Sequence, residues 1–161
     1  GEGNPDAKIV FIGEAPGKNE AKTGRSFIGR SGKFLRNIIK KTGIKDSDFY
    51  ITSPVKYLPK DKILKTEDVE HGRIHLSKQL EIINPKVIVL LGKAACYGVL
   101  NEMIMPLKNH GKVIQKNGKT YFITIHPSTA VRFTKPRIIF LEDFKKLKKL
   151  VAKHGLRNKR A

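Results

Sequence analysis

The chain has 161 residues, 39% of them hydrophobic, which fits one domain with a buried core and excludes a disordered segment. A single cysteine, Cys96, excludes an internal disulfide framework and a metal cluster held by several cysteines of one chain. Lysine and arginine number 33 against 14 acidic residues, a formal charge of +19; such self-repulsion points to a polyanionic partner, nucleic acid first, or to a generally lysine-rich composition.

In chain order, Lys8–Ile12 is a short apolar run stopped by Gly13 and is expected to be a buried strand. A loop over 13–30 follows, then a helix in which Phe34, Leu35, Ile38 and Ile39 recur at helical spacing until Gly43. Phe49–Thr52 predicts a second strand, cut by Pro54. Thr66 is the expected N-cap of a helix to about Ile83. Pro85 then opens Val87–Leu91, whose five consecutive apolar residues predict a strand buried on both faces. Gly92 turns into a helix containing Ala94, Ala95 and Val99. Val113–Gln115 and Thr120–Ile125 form a hairpin across Asn117-Gly118. His126-Pro127-Ser128 begins a loop, and 137–152 is a last amphipathic helix. No repeat or interdomain linker interrupts the chain, so residues 1–152 are expected to be one domain and 153–161 a basic, frayed tail.

Strands alternating with helices predict an α/β fold, a three-layer α/β/α sandwich on a mostly parallel sheet. Ligands of open α/β sheets bind beyond the carboxyl ends of the strands. Gly13–Gly17, Thr52–Tyr57 and His126–Ser128 all fall there, so one site built from three loops is expected. The Gly13-Glu14-Ala15-Pro16-Gly17 loop is neither a Rossmann nor a Walker loop, because Gly-x-Gly-x-x-Gly and Gly-Lys-Ser/Thr are both missing. No apolar run approaches the roughly 20 residues that span a bilayer, and no signal-peptide pattern opens the chain. A soluble, intracellular protein of cytoplasm or nucleoid, with no membrane partner, is expected.

Gly13-Glu14-Ala15-Pro16-Gly17 with Glu20, Gly24-Arg25-Ser26-Phe27-Ile28-Gly29, Ser31-Gly32, Tyr50–Lys56, Pro85–Gly92 and His126-Pro127-Ser128 together resemble the uracil-DNA glycosylase superfamily, most closely its family 4. The likeness covers about residues 1–150. It implies a four-stranded parallel sheet flanked by helices, with DNA across the strand ends. It further implies a monofunctional base-excision repair enzyme that flips a deaminated base, uracil first, into a pocket and hydrolyses its N-glycosidic bond with water.

The resemblance also implies roles. Phe27 stacks on the flipped base, and Glu14 with the loop backbone orients water or stabilises positive charge. Ala15 supplies no acid where a related family has one. Gly17 and Glu20 shape the pocket near the 5-position of the base. His126 hydrogen-bonds uracil O2, where negative charge develops. Ser128 holds a phosphate, while Val131 and Arg132 occupy the wedge loop. The basic segment Lys145–Lys149 is either a phosphate contact or a solvated helix face. The expected partner is DNA carrying a deaminated base, bound by a monomer.

Two departures stand out. Family 4 holds an iron–sulfur cluster with four cysteines; here Tyr57 and Gly72 occupy two of those positions, and the chain begins too late to contain the first pair. No cluster and no metal are therefore expected, with packing around Tyr57 in its place. Ser53 stands where the family carries an asparagine that reads the uracil edge, which opens hypoxanthine or xanthine as substrates. A noncatalytic DNA-binding descendant is a further alternative; an RNA-binding module is disfavoured by 7% aromatic content and no RNP-like strand. Arg73-Ile74-His75 echoes a relative's covalent-capture loop but falls inside the predicted helix 66–83, as a surface histidine would. His71, His110 and His154 show no metal spacing, and no lysine stands out as a desolvated nucleophile.

Overall fold

A computed structural model describes residues 1–156. Its elements are β1 (Glu2–Gly3), β2 (Ile9–Ile12), α1 (Lys18–Thr23), α2 (Arg30–Thr42), β3 (Phe49–Thr52), α3 (Thr66–Ile83), β4 (Val87–Leu91), α4 (Lys93–Leu100), α5 (Pro106–Asn109), β5 (Val113–Lys116), β6 (Lys119–Thr124), α6 (Pro127–Arg132) and α7 (Thr134–Lys153). The strands form one sheet in the order β1-β3-β2-β4-β6-β5. The inner four are parallel, as expected for the fold class, and an antiparallel strand at each edge brings the count to six rather than four. The additional edges are the two-residue β1, too short for any alternation to show, and β5 of the expected hairpin. That hairpin turns through Asn117 and Gly118 at φ 52° and 72°, as a primed turn requires.

Both faces of the inner strands are covered. Ile9, Phe11, Val87 and Val89 point to one side, where α2 contributes Leu35, Ile38 and Ile39 and α7 contributes Phe140, Phe144 and Leu147. Val10, Ile12, Ile88 and Leu90 point to the other, against Leu76 of α3 and Ala95, Cys96 and Leu100 of α4. This period-two division is what a strand apolar at every position needs, with a helical layer on each face. Register keeps the strand ends level: Ile12 lies opposite both Thr52 and Leu90, and Leu90 opposite Ile123.

Several boundaries differ from the sequence reading. The 13–30 loop holds α1, six residues with none buried, so no apolar periodicity marks it. Lys65, not Thr66, is the N-cap of α3, and its N–H donates to the Asp68 carboxylate at 2.9 Å. His126-Pro127-Ser128 opens a helix rather than a loop, with Pro127 at the first position, where its missing N–H is not needed. α7 begins at Thr134 instead of 137. Leu156 packs against the first core face, and the rest of the expected tail, 157–161, lies outside the described residues.

α7 is locked to the sheet by a buried polar knot. Asp143, fully buried, accepts from the Thr124 hydroxyl at 2.7 Å and pairs with His110 Nδ1 at 3.0 Å. Removing the carboxylate strands both partners, and Asp143→Ala is expected to cost about 2–4 kcal/mol in urea unfolding, with Asp143→Asn costing less.

Candidate active site

The level strand ends bring the three singled-out loops together, and main-chain hydrogen bonds tie them. Gly13 N–H donates to Thr52 O at 2.9 Å, Val55 N–H to Glu14 O at 3.4 Å, and Gly92 N–H to Thr124 O at 3.0 Å. Above them opens a cleft of about 810 Å³, within the range of small-ligand sites. Ala15, Gly17, Glu20, Phe27, Ser53, His126, Ser128, Val131 and Arg132 all line it, so nine of the ten expected site residues meet in one place. Glu14 is the exception: it lines a second cleft of about 370 Å³ with Val69, Lys93 and Tyr97, across the Gly13–Gly17 loop. Burial there raises the Glu14 carboxyl above its ordinary range.

His126 is the N-cap of α6, and its Nδ1 accepts the backbone N–H of Ser128 at 3.2 Å. A backbone N–H can only donate, so Nδ1 carries the lone pair and the ring proton sits on Nε2. The Ser128 hydroxyl lies 2.6 Å from the same Nδ1 and supports that tautomer. Burial lowers the imidazole to about 4, so at neutral pH it is an uncharged N–H donor. Gly92, at φ +96°, makes room for it, since a Cβ there would lie 2.9 Å from His126 Cβ. The sequence places Gly92 at the turn into the next helix and in the Pro85–Gly92 string, but gives no sign of its contact with His126.

Phe27 adopts a left-handed φ of +55°, unusual for an aromatic residue. A Cβ on Gly13 would lie 2.2 Å from the tip of its ring, so only glycine lets the ring settle on the β2 turn. Glu20 accepts the N–H groups of Ile28 and Gly29 at 2.9 and 2.7 Å and so braces the segment after Phe27. The Ser53 hydroxyl donates to Val55 O at 2.7 Å, which leaves its lone pairs for any ligand.

Lys56, the last residue of the Tyr50–Lys56 string, also lines the cleft; the string gives it no role, because nothing in the local sequence signals its burial. Burial lowers its ammonium to about 8, so one desolvated lysine does stand out. Its Nζ donates to Thr52 Oγ1 at 2.8 Å, Gln79 Oε1 at 2.6 Å and Ser53 O at 2.5 Å. Those three acceptors use all its N–H groups and hold a cation, not a free nucleophile. Arg73 binds Tyr97 O and Asn101 from α3, while His75 lies exposed edge-on to His71, away from the cleft.

The residues at the cluster positions do not fit iron–sulfur ligation. A Cβ on Gly72 would lie 1.9 Å from Pro54 O, leaving no space for a side chain there. The Tyr57 hydroxyl donates to Asp68 at 2.6 Å. Cys96 is buried, with its thiol pushed up to about 12, far from a ligating thiolate. Among the described residues no group of three or more His, Cys, Asp or Glu side chains is placed to hold a metal ion, and no helix is long and apolar enough to cross a membrane.

The sequence profile of the Uracil DNA glycosylase superfamily matches residues 1–152. The chain is 41% identical over 160 residues to the Type-4 uracil-DNA glycosylase of Thermotoga maritima, covering 96% of this chain and 83% of that protein. It is 37% identical to the Type-4 uracil-DNA glycosylase of Sulfurisphaera tokodaii (93% and 73% covered) and 36% identical to that of Archaeoglobus fulgidus (95% and 81%).

Nitrogen-15 NMR of the imidazole is expected to show His126 as the neutral Nε2–H tautomer, titrating only near pH 4. Its unfolded-state value is higher, so the unfolded chain binds the extra proton between about pH 6.5 and 4. This contribution to stability is complete above that window and lost as pH falls through it, and His126→Asn is expected to flatten that part of the stability profile.

Proposed function

The chain belongs to the uracil-DNA glycosylase superfamily, and we propose that its cleft receives an extruded uracil between Phe27 and His126. It is an enzyme, a uracil-DNA glycosylase of base-excision repair. The observation that carries the site reading is the fixed tautomer of His126, an Nε2–H donor in the same cleft as the Phe27 ring.

In this reading the C1′–N1 bond breaks with its electron pair passing to the base, and charge gathers on uracil O2. Nε2–H of His126 donates to that oxygen. The donor strengthens as charge builds, so it stabilises the transition state more than the ground state. A neutral imidazole suits the task because it keeps its proton while polarising the oxygen. The ammonium of Lys56 adds fixed positive potential beside it. Water then bonds to C1′ and loses a proton. Ala15 offers no acid, and Glu14, the one carboxyl of the Gly13–Gly17 loop, held above its usual range in the adjoining cleft, is the group of the loop that can take that part. Ser128 orients His126 rather than gripping a phosphate, since its hydroxyl lies on Nδ1. Val131 and Arg132 remain at the rim to meet the strand and its phosphates.

Base choice follows from Ser53. Its outward lone pairs accept the N3–H of uracil and repel the N3 lone pair of cytosine, so the pair is told apart without an amide. Unlike asparagine, serine offers no donor for O4. Hypoxanthine also presents an N–H beside a carbonyl, N1–H next to O6, and Ser53 favours it as a second substrate. We further propose that the enzyme works without an iron–sulfur cluster: the close approach of Gly72 to the Pro54 carbonyl and the hydrogen bond from Tyr57 to Asp68 take up two of the four ligand positions.

Alkali cleavage of end-labelled duplexes carrying uracil or hypoxanthine tests these roles. His126→Ala is expected to lower kcat on uracil by about 10²–10³-fold, the usual loss for one such donor. Ser53→Asn is expected to raise the uracil-to-hypoxanthine preference. The acid limb of the kcat profile is expected above the ordinary carboxylate range, set by the buried Glu14 and not by His126, and to vanish in Glu14→Gln. An acid limb unchanged in that variant would remove Glu14 from the mechanism.

A further inference from the structure

The segment carrying Phe27 is held by two residues from different elements, Glu2 of β1 and Arg36 of α2. Glu2 on β1 accepts from Arg36 Nη2 at 2.7 Å through Oε1, and from the Ser26 N–H at 3.1 Å through Oε2. Arg36 on α2, partly buried, also donates from Nη2 to Ser26 O at 2.8 Å and from Nε to Phe27 O at 3.2 Å. Arg25 reaches the same carboxylate at 3.1 Å, but its side chain is 67% exposed and water competes for it. Behind the segment, a Cβ on Gly32 would lie 2.2 Å from the Phe27 carbonyl carbon, so α2 presses directly on that main chain.

These contacts fall on the one aromatic residue in a left-handed conformation, at φ +55°. Such a conformation persists only where surrounding contacts over-determine it. The guanidinium fork supplies a matching constraint: its Nε and Nη2 take the carbonyls of two successive residues while Nη2 also meets the carboxylate. A lysine has one nitrogen and cannot span that set.

We propose that Glu2 and Arg36 form a positioning clamp that fixes the Phe27 ring in the base site and so sets the rate of excision. The clamp rests on the reading of Phe27 as the base platform. Neither residue lines the cleft, and both act through Phe27. Phosphate contacts elsewhere set DNA affinity, so loss of the clamp falls on kcat rather than KM, because a misplaced platform weakens alignment of the base with His126.

The test measures uracil excision from duplex DNA, and inhibition by free uracil, for Arg36→Met, Arg36→Lys, Glu2→Gln, Glu2→Gln with Arg36→Met, and Phe27→Ala. Thermal melts establish that each variant is folded. Arg36→Met is expected to lower kcat at least tenfold with KM within twofold, and to weaken free-uracil inhibition as Phe27→Ala does. Arg36→Lys should not rescue it, and the double variant should lose no more than Arg36→Met alone, the non-additivity of two residues acting as one unit. Glu2→Gln, the milder change, keeps the question open to measurement if Arg36→Met fails to fold; it should lower kcat at least threefold. A crippled Phe27→Ala beside normal kcat and normal uracil inhibition in folded Arg36→Met or Glu2→Gln would overturn the clamp alone. Full activity in Phe27→Ala would overturn the platform and the clamp together.

Discussion

Four parallel strands buried on both faces dictate where everything polar in this protein can go. Within the sheet the side chains are mostly apolar, because helices close over each face, and a buried polar group such as Thr124 needs a partner such as Asp143. Chemistry is displaced to the carboxyl ends, where each strand hands over to a loop whose main-chain groups have no ladder partner left. The level register makes those ends a platform instead of a staircase. Gly13, Thr52 and Thr124 then spend their free main-chain groups on one another and on Gly92, so the loops start from fixed points. The site follows from this constraint more than from any one catalytic residue.

On that platform, precision comes from carboxylates and glycines. The chain has few acids, and several are spent inward: Glu20 on two N–H groups, Glu2 on a loop and a guanidinium, Asp143 on a hydroxyl and a ring nitrogen. Glycine supplies what side chains would obstruct, at Gly13 beneath Phe27 and at Gly92 beside His126. The result is a cationic exterior with a rigid anionic skeleton, a division of labour that total charge conceals.

Legibility in the sequence followed the range of the interaction that decides each feature. Val87–Leu91 and the Asn117-Gly118 hairpin were readable because neighbouring residues decide them. The meeting of three loops was readable from the strand order, since parallel sheets gather ligands at one end. β1 and α1 were not, being too short to leave a period. Nor were the contacts between Glu2 and Arg36, separated by 34 positions, or the burial of Lys56, whose Nζ meets Gln79 reaching across from α3. Glu14 shows the limit most sharply. Its place in the motif is plain, yet the direction of its side chain is decided by the walls of a second cleft formed by α3 and α4. Function at the level of family and reaction lives in residue types; the assignment of each atom lives in packing.

The contact between Gly72 and the Pro54 carbonyl reaches further than the two residues that make it. Pro54 is also wedged against Gly98 of α4, so it is seated between two helices with no slack on either side. Its neighbour is Ser53, on the wall of the base cleft. A cysteine at position 72 cannot enter until that carbonyl withdraws, and withdrawal carries Ser53 with it. Any side chain added at position 72 therefore presses on base recognition although it lies outside the cleft. The close approach thus couples the contact of α3 and α4 to the wall of the cleft: a larger side chain at 72 or 98 acts on Ser53 from outside the site, through the main chain of Pro54.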